Sequence, residues 1–456
     1  MKNVVIAGGG DVGFSLARAL SEEGHNVSVI DIQEEVAVKL EALDVLVVIG
    51  NAASPGTLNK AYINSADVLI AVTASDEVNM ACCAIAKNRG CNTLARINNE
   101  EYVQEPISTE ALKDCGIDLA FCPELISATH MSNVLSVRAL FDSPVLQQKT
   151  IRLVENRVAK GSKAVGKEIR KIGLPREINL VAIFRNEEVV IPRGSVKLRS
   201  NDRVISILPQ AKEKKLVRKL NLLYGTSRKV DMKKTIDKVM IAGGSRVGLH
   251  LARVLDEKKL SVVLIEESGS ICEELAEKLP GVLVIEGSPA DKEVLKDEGV
   301  SEADAFLAVT DREEVNILTS LLASQLGAGK SISLVDRPGL KSSLEEMGID
   351  LVISPRSVTI STILKYFHQE DFDSLAILNQ GEAQVIQIKV KEKSKGANSR
   401  LDSIVALRTK DILVGAIIRE KNLLIPRGDT FIHPGDMLIV ITRSMHLKWV
   451  KDHFTR

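Results

Sequence analysis

The chain has 456 residues, 60 Lys+Arg against 60 Asp+Glu, 45% hydrophobic and 26% charged residues, which suits roughly three ordinary domains and excludes a disordered chain. Zero formal net charge and 3% aromatic residues argue against a nucleic-acid binder, which needs a basic face for phosphates and rings on which bases stack. Apolar stretches such as "DVLIAV" and "LDVLVVIG" fall far short of the roughly 20 residues that cross a bilayer, and "MKNVVIAGGGDVG" lacks the pattern of a signal peptide, so the mature chain is expected to begin at Met1.

Short Val- and Ile-rich runs alternate with amphipathic segments over the first part of the chain, the pattern of a parallel sheet covered by helices. Strands are expected at Asn3–Ala7, Val27–Ile30, Leu46–Ile49, Val68–Val72, Thr93–Ile97 and Leu119–Phe121. Helices begin near Asp11, Glu34, Ser54, Asp76 and Ile107. The runs are continuous rather than alternating, as strands buried on both faces require. A further helix starts just after Pro123, with Ile126, Val134, Val137 and Phe141 near helical spacing; this stripe suits packing between neighbouring units or within one domain. From Val145 to Gln210 the pattern alternates, with "RNEE" a hairpin turn and "SND" a turn before the last strand. The charged stretch "AKEKKLVRKLNLLYGTSRKVDMKKTID" reads as a solvated helix and linker, the alternative being a dedicated binding surface.

Everything then recurs. Gly8, Gly13 and Asp31 answer Gly243, Gly248 and Glu266 at an offset of 235 residues. "ADVLIAVTASDEVN" from Ala66 answers "ADAFLAVTDREEVN" from Ala303, "GIDLAFCPE" answers "GIDLVISPR", and "VIPRGS" answers "LIPRGD". A period this long is a duplicated multidomain unit, not a solenoid. The helix after Pro355 repeats the first copy's, with Val358, Ile363 and Phe367 on its stripe. The expected fold class is therefore α/β, a Rossmann-like parallel-sheet domain plus a small α+β domain, twice. The expected boundaries are 1–122, a helix over 123–144, a small domain over 145–225, a linker over 226–235, a second parallel-sheet domain over 236–354, a helix over 355–372 and a second small domain over 373–456.

Gly8-Gly9-Gly10-Asp11-Val12-Gly13 is a GxGxxG between a strand and a helix, with Asp31 ending the next strand. Gly8 allows the tight turn, Gly10 lets a pyrophosphate approach the backbone, and Gly13 lets the helix close on the strand. The helix N-terminus supplies unpaired N–H groups. Asp31 can accept both ribose hydroxyls, whereas a 2′-phosphate would meet its carboxylate, and Ile32 and Gln33 offer no Arg to bind one, so NAD(H) is favoured over NADP(H). The alternative is a glycine turn without a ligand.

The second loop, Gly243-Gly244-Ser245-Arg246-Val247-Gly248, puts Ser245 where Gly10 sits and Arg246 where Asp11 sits, while Glu266 still closes its strand. Its site is expected to be altered or empty. Gly50 and Asn51 open the segment after the third strand, and Thr73, followed by Ala74, ends the fourth, as Thr310 does in the second copy. Thr73 and Thr310 serve either ribose or phosphate contact or helix capping. Arg96, near the end of the fifth strand, reaches a phosphate or makes a surface ion pair; its counterpart is Leu334.

Six cysteines without a CxxC pair indicate neither zinc nor a redox motif, and read as free thiols in a reducing cytoplasm. Seven scattered histidines share no motif, and no nucleophile–base–acid set recurs, so no catalytic residues are assigned and no enzyme is expected.

A nucleotide-binding half-unit carrying "GGGDVG", Asp31, "GNAASPGTL" and "AVTASDEVN", followed by a small domain with "IPRG", all twice, resembles the RCK (KTN) family and its tandem members in Trk-type potassium uptake systems. The resemblance implies a peripheral regulatory subunit on the inner face of the cell membrane. It implies a ring, expected as a homo-tetramer, under a TrkH-type membrane-embedded potassium-translocating subunit, with gating in response to nucleotides. It carries NAD(H) to Gly8, Gly10, Asp31, Thr73 and Arg96 in the first copy. In the second, NAD(H) or ATP/ADP is carried to Gly243, Glu266 and Thr310. The rival readings are an NAD-dependent dehydrogenase and a free-standing nucleotide sensor.

Overall fold

The computed structural model describes residues 1–99, 102–103, 107–108, 112–135, 151–185, 188–225, 236–337, 339–367, 373–378, 383–420 and 422–455. In the first copy the order is β1 (Asn3–Ala7), α1 (Asp11–Glu22), β2 (Asn26–Asp31), α2 (Glu34–Leu40), β3 (Leu46–Ile49), α3 (Pro55–Lys60), β4 (Val68–Ala71), α4 (Asp76–Lys87), β5 (Asn92–Arg96), β6 (Ile107–Ser108), β7 (Leu119–Phe121) and α5 (Pro123–Leu135). The small domain adds β8 (Ile151–Arg157), β9 (Asn179–Arg185), β10 (Glu188–Val190), β11 (Arg203–Pro209) and α6 (Glu213–Tyr224).

The second copy repeats this with β12 (Lys238–Ala242), α7 (Arg246–Glu257), β13 (Ser261–Glu266), α8 (Gly269–Lys278), β14 (Leu283–Glu286), α9 (Lys292–Asp297), β15 (Ala305–Ala308), α10 (Glu313–Leu326), β16 (Ser331–Leu334), α11 (Lys341–Met347), β17 (Leu351–Ile353) and α12 (Pro355–Phe367). It ends with β18 (Asp373–Leu378), β19 (Ala383–Lys389), α13 (Val405–Thr409), β20 (Ile412–Arg419), β21 (Asn422–Leu424), β22 (Met437–Arg443) and α14 (Leu447–Thr455).

The duplicated α/β architecture is the one the sequence pattern implies. The first large sheet runs β3-β2-β1-β4-β5-β7-β6 and the second β14-β13-β12-β15-β16-β17, parallel except for β6. The strand order reverses between β1 and β4, and between β12 and β15, which opens a crevice beyond the carboxyl ends of those strands. One expectation fails here. The segment from Ile107 begins not as a helix but as the short edge strand β6, antiparallel to β7 through Ile107↔Phe121. A segment this short and mixed in polarity carries no decisive period, and pairing to β7 decides it. Val137, Phe141, Asn186 and Glu187 of the "RNEE" turn and the linker 226–235 lie outside the described residues.

The chain folds as two compact units, one holding both parallel-sheet domains and the other holding both small domains. In the first, the stripe on α5 is covered by the other copy: Ala128, Met131, Val134 and Leu135 are buried with Leu249, Leu251, Ala252 and Leu255 of α7. Lys258 Nζ donates to Ser132 Oγ at 2.7 Å across the same junction. In the second unit, antiparallel sheets β10-β9-β11-β8 and β18-β19-β22-β20-β21 share a core in which Val181, Ile205 and Ile207 meet Val385, Ala416, Ile439 and Ile441. The charged stretch is not wholly solvated: α6 buries Leu216, Leu220 and Tyr224 on its own small domain. No helix among the described residues is long and apolar enough to cross a membrane.

Candidate functional site

The first glycine loop is shaped by close approach. Gly8 has φ 103° in the left-handed region, and a Cβ there would lie 3.0 Å from Val72 and Thr73 backbone atoms. A Cβ on Gly13 would lie 1.9 Å from Gly8 O, so α1 seats on β1 only with glycine at that position. Gly10 is different: a Cβ there meets nothing within 4 Å, and the residue is exposed. It is the N-cap of α1 without a side-chain cap, so N–H groups of the first turn face the crevice. Asp11 and Val12 form that turn.

Asp31 ends β2, where Oδ2 accepts from Gly9 N at 2.7 Å and Oδ1 from Gln33 N at 2.9 Å. A carboxylate has about four lone-pair directions, so each oxygen retains one for a diol. Gly50 follows β3 and donates its N–H to Asp31 O at 2.8 Å, while Asn51 Oδ1 accepts from Ala53 N at 2.8 Å.

Thr73 and Thr310 are neither of the helix caps that the sequence offered as one alternative. Ser75 caps α4, accepting from Val78 N at 3.2 Å. Thr73 instead donates its hydroxyl to Asn79 Oδ1 at 2.7 Å, and its N–H to the same oxygen at 3.0 Å. Asn79 Nδ2 donates to Thr73 O at 3.2 Å and to Arg96 O at 2.8 Å. Asn316 makes the same four bonds to Thr310 and Leu334. These two buried asparagines fasten the ends of neighbouring strands together, and sequence reasoning missed them although each closes a repeated "EVN". Ala74 beside them is exposed.

Arg96 does not stand free at the strand end. Its Nε donates to Asn98 Oδ1 at 2.9 Å and Nη2 lies 3.7 Å from Glu124 Oε1. Strand register places Leu334 at its position in the second copy, since Arg96 pairs with Phe121 and Leu334 with Ile353.

The second loop keeps the backbone but not its openness. Gly243 has φ 110°, and a Cβ on Gly248 would lie 2.1 Å from Gly243 O. Glu266 reaches one bond further than Asp31 and holds Gly244 N at 2.7 Å and Ser268 N at 2.9 Å. Ser245 is not merely an added side chain at the phosphate approach. It caps α7, accepting from Gly248 N at 3.2 Å and donating to Val309 O. Arg246, expected on the phosphate side, donates to the Asn98 carbonyl of the first copy. Val247 is buried behind it.

Each glycine loop therefore touches the other copy, Arg246 through Asn98 and Asp11 through Arg356. Arg356, on the first turn of α12, places Nη2 2.9 Å from Asp11 Oδ2. Among the described residues no cluster of three or more His, Cys, Asp or Glu is arranged to hold a metal.

The TrkA-N domain family matches residues 4–123 and 239–355, and the TrkA-C domain family matches 153–221 and 385–454. The Trk system potassium uptake protein TrkA homolog 1 of Methanosarcina mazei is 33% identical over 464 residues, covering 100% of both chains. Its counterpart in Archaeoglobus fulgidus is 33% identical and covers 99% of each, and the TrkA of Haemophilus influenzae is 29% identical, covering 96% of this chain and 95% of its own. Among solved structures, the GsuK RCK domain has a TM-score of 0.54 at 18% identity, covering 99% of this chain and 94% of that one. The GsuK channel bound to NAD has a TM-score of 0.55 at 18% identity, covering 99% and 78%. Those likenesses establish the fold, a tandem RCK architecture. The chain belongs to the TrkA family, with a TrkA-N and a TrkA-C domain in each half.

Proposed function

We propose that this chain is a nucleotide-binding regulatory subunit of a Trk-type potassium uptake system, and not an enzyme. Relatives over its whole length carry that system's name, and a structural neighbour is a channel bound to NAD. The observation that carries the nucleotide reading is the first glycine loop: an exposed Gly10, an uncapped α1 and the Asp31 carboxylate beside them. NAD(H) fits this donor set. The N–H groups of the first turn of α1 would hold its pyrophosphate, and Asp31 would accept from the adenosine ribose. Gly8, Gly9, Gly13, Gly50, Asn51, Thr73, Ala74 and Arg96 frame the crevice. In the second copy Gly243, Gly244, Ser245, Arg246, Val247, Gly248, Glu266 and Thr310 would take NAD(H) or ATP/ADP.

A ligand shifts a conformational equilibrium only by its difference in affinity between two states. A nucleotide lying where the two copies face each other has such a difference if their separation changes, and no bond need break. In this reading the chain self-associates into a ring, expected as a homo-tetramer, on the inner face of the membrane. The ring gates a TrkH-type potassium-translocating subunit.

Calorimetric titration of the full chain should show NADH bound in preference to NADPH. Potassium flux through vesicles holding the translocating subunit should change when the chain and nucleotide are added. Equal affinity for the two dinucleotides, or flux indifferent to the chain, would overturn the respective half of the reading.

A further inference from the structure

The ion pair between Asp11 and Arg356 joins the first copy's glycine loop to the second copy. Arg356 is the better anchored partner. Its Nε donates to Asp336 Oδ2 at 3.1 Å, its Nη2 lies 2.9 Å from the same oxygen, and Asp336 Oδ1 accepts from Ser354 Oγ at 2.5 Å. The Arg356 side chain is 21% exposed against 70% for Asp11. The guanidinium is thus held by its own copy and presented to the other. Asp11 is the first residue of α1, so its carboxylate sits on the turn whose N–H groups face the crevice.

Equivalent positions in the other direction carry inverted charge. Arg246 stands where Asp11 does, and Glu124 stands where Arg356 does, each following the proline that opens α5 or α12. The two loops are therefore not interchangeable.

We infer that Arg356, supplied by the second copy, is a specificity determinant of the first nucleotide site, because it neutralises Asp11 and so admits phosphate charge to the N-terminus of α1. The inference rests on the nucleotide reading above. An unpaired carboxylate on that turn repels an incoming anion, and the repulsion grows with the anion's charge. With Arg356 in place the loop is locally balanced, and the guanidinium also offers donors to a phosphate oxygen. First-site affinity then depends on where the second copy holds Arg356, which links ligand binding to the relation between copies.

The test is titration of the full chain with NADH and with ATP, the first-site step being the one removed by Asp31→Ala. Arg356→Gln should weaken NADH about tenfold at that step and ATP by more. Adding Asp11→Asn to Arg356→Gln should recover most of the loss for both ligands, which a misfolded variant or a purely structural role would not allow. If Arg356→Gln changes neither affinity, or if the double variant is as weak as the single one, the inference is wrong while the nucleotide reading stands. If Asp31→Ala removes no step at all, the nucleotide reading fails and this inference fails with it.

Discussion

Val181 of β9 and Gly415 of β20 occupy equivalent places in the two small domains and pack against each other, valine filling the space that glycine leaves. A Cβ on Gly415 would lie 2.8 Å from Val181 Cγ1, 2.7 Å from Ile441 Cδ1 and 3.2 Å from Ile207 Cδ1. Asn179 Nδ2 donates to Gly415 O at 3.0 Å beside it. The shared core of the second unit is fitted at this point by a size difference between the repeats.

Gly415→Val should therefore overpack the junction and destabilise the second unit by about 1–3 kcal/mol, the usual range for added methylenes in a filled core. Urea unfolding followed by a probe in the small domains measures it. Adding Val181→Ala should return part of the loss, and a double variant no better than the single one would show that Ile441 alone sets the limit.

Asn79 is the next point of weakness. Its amide completes four hydrogen bonds to Thr73 and Arg96 backbone and hydroxyl groups while wholly buried. Asn79→Ala leaves those partners without it, at about 1–3 kcal/mol for each buried group that stays unsatisfied. Thr73→Val removes only the hydroxyl and should cost less, about 1 kcal/mol. Thermal unfolding ranks the two; equal losses would mean that the asparagine holds nothing beyond the threonine hydroxyl.

A pH dependence follows from His130 on α5. Burial, and after it the ammonium of Lys341, pushes its pKa down to about 4. The unfolded chain binds that proton near pH 6.5. Between about pH 6.5 and 4 the unfolded state therefore holds more protons than the folded one, so stability falls as pH falls. Below about 4 both states are protonated and this contribution stops changing. The whole effect is bounded at roughly 3 kcal/mol by the size of the shift. Denaturation of wild type and His130→Gln at pH 7 and pH 4.5 isolates it: the variant should lose less between the two, and identical losses would exclude His130 as a source.

Much of this was legible in the sequence because it rests on local pattern. Short continuous apolar runs mark β1, β3 and β7 at their observed limits, and Gly8, Gly13 and Asp31 lie where a strand–turn–helix places them. What was not legible depends on how elements pack, not on any one element's own pattern. Ile107 became a strand by pairing with Phe121, a relation that the run itself does not encode. Thr73 looked like a cap or a ligand contact, because Asn79 becomes its partner only once α4 packs beside β5. Asp11 with Arg356, and Arg246 with Asn98, join residues of different copies, and no spacing within one copy hints at either.

Ser245 gives the sharpest contrast between the sites. Gly10 and Ser245 have nearly the same backbone, φ −59° and ψ −171° against φ −57° and ψ 169°, so serine fits the first loop without strain and its Cβ would point into open space. In the second copy the serine hydroxyl occupies Gly248 N, one of the first-turn donors that a phosphate would use. Ser245→Gly should release that donor at a cost of only a few tenths of a kcal/mol in capping, and strengthen NADH and ADP binding at the second site. Gly10→Ser should do the reverse at the first site. A charge-assisted hydrogen bond is worth about 1.5–3 kcal/mol, so each change should be on the order of tenfold to a hundredfold in affinity. The titrations need the full chain, because α5 of the first copy is buried in the core of the second and cutting between copies would expose Met131 and Leu135. If Gly10→Ser leaves first-site NADH affinity where it was, the serine cap is not what separates the two sites, and the difference must lie with Arg246 and the missing arginine at Leu334.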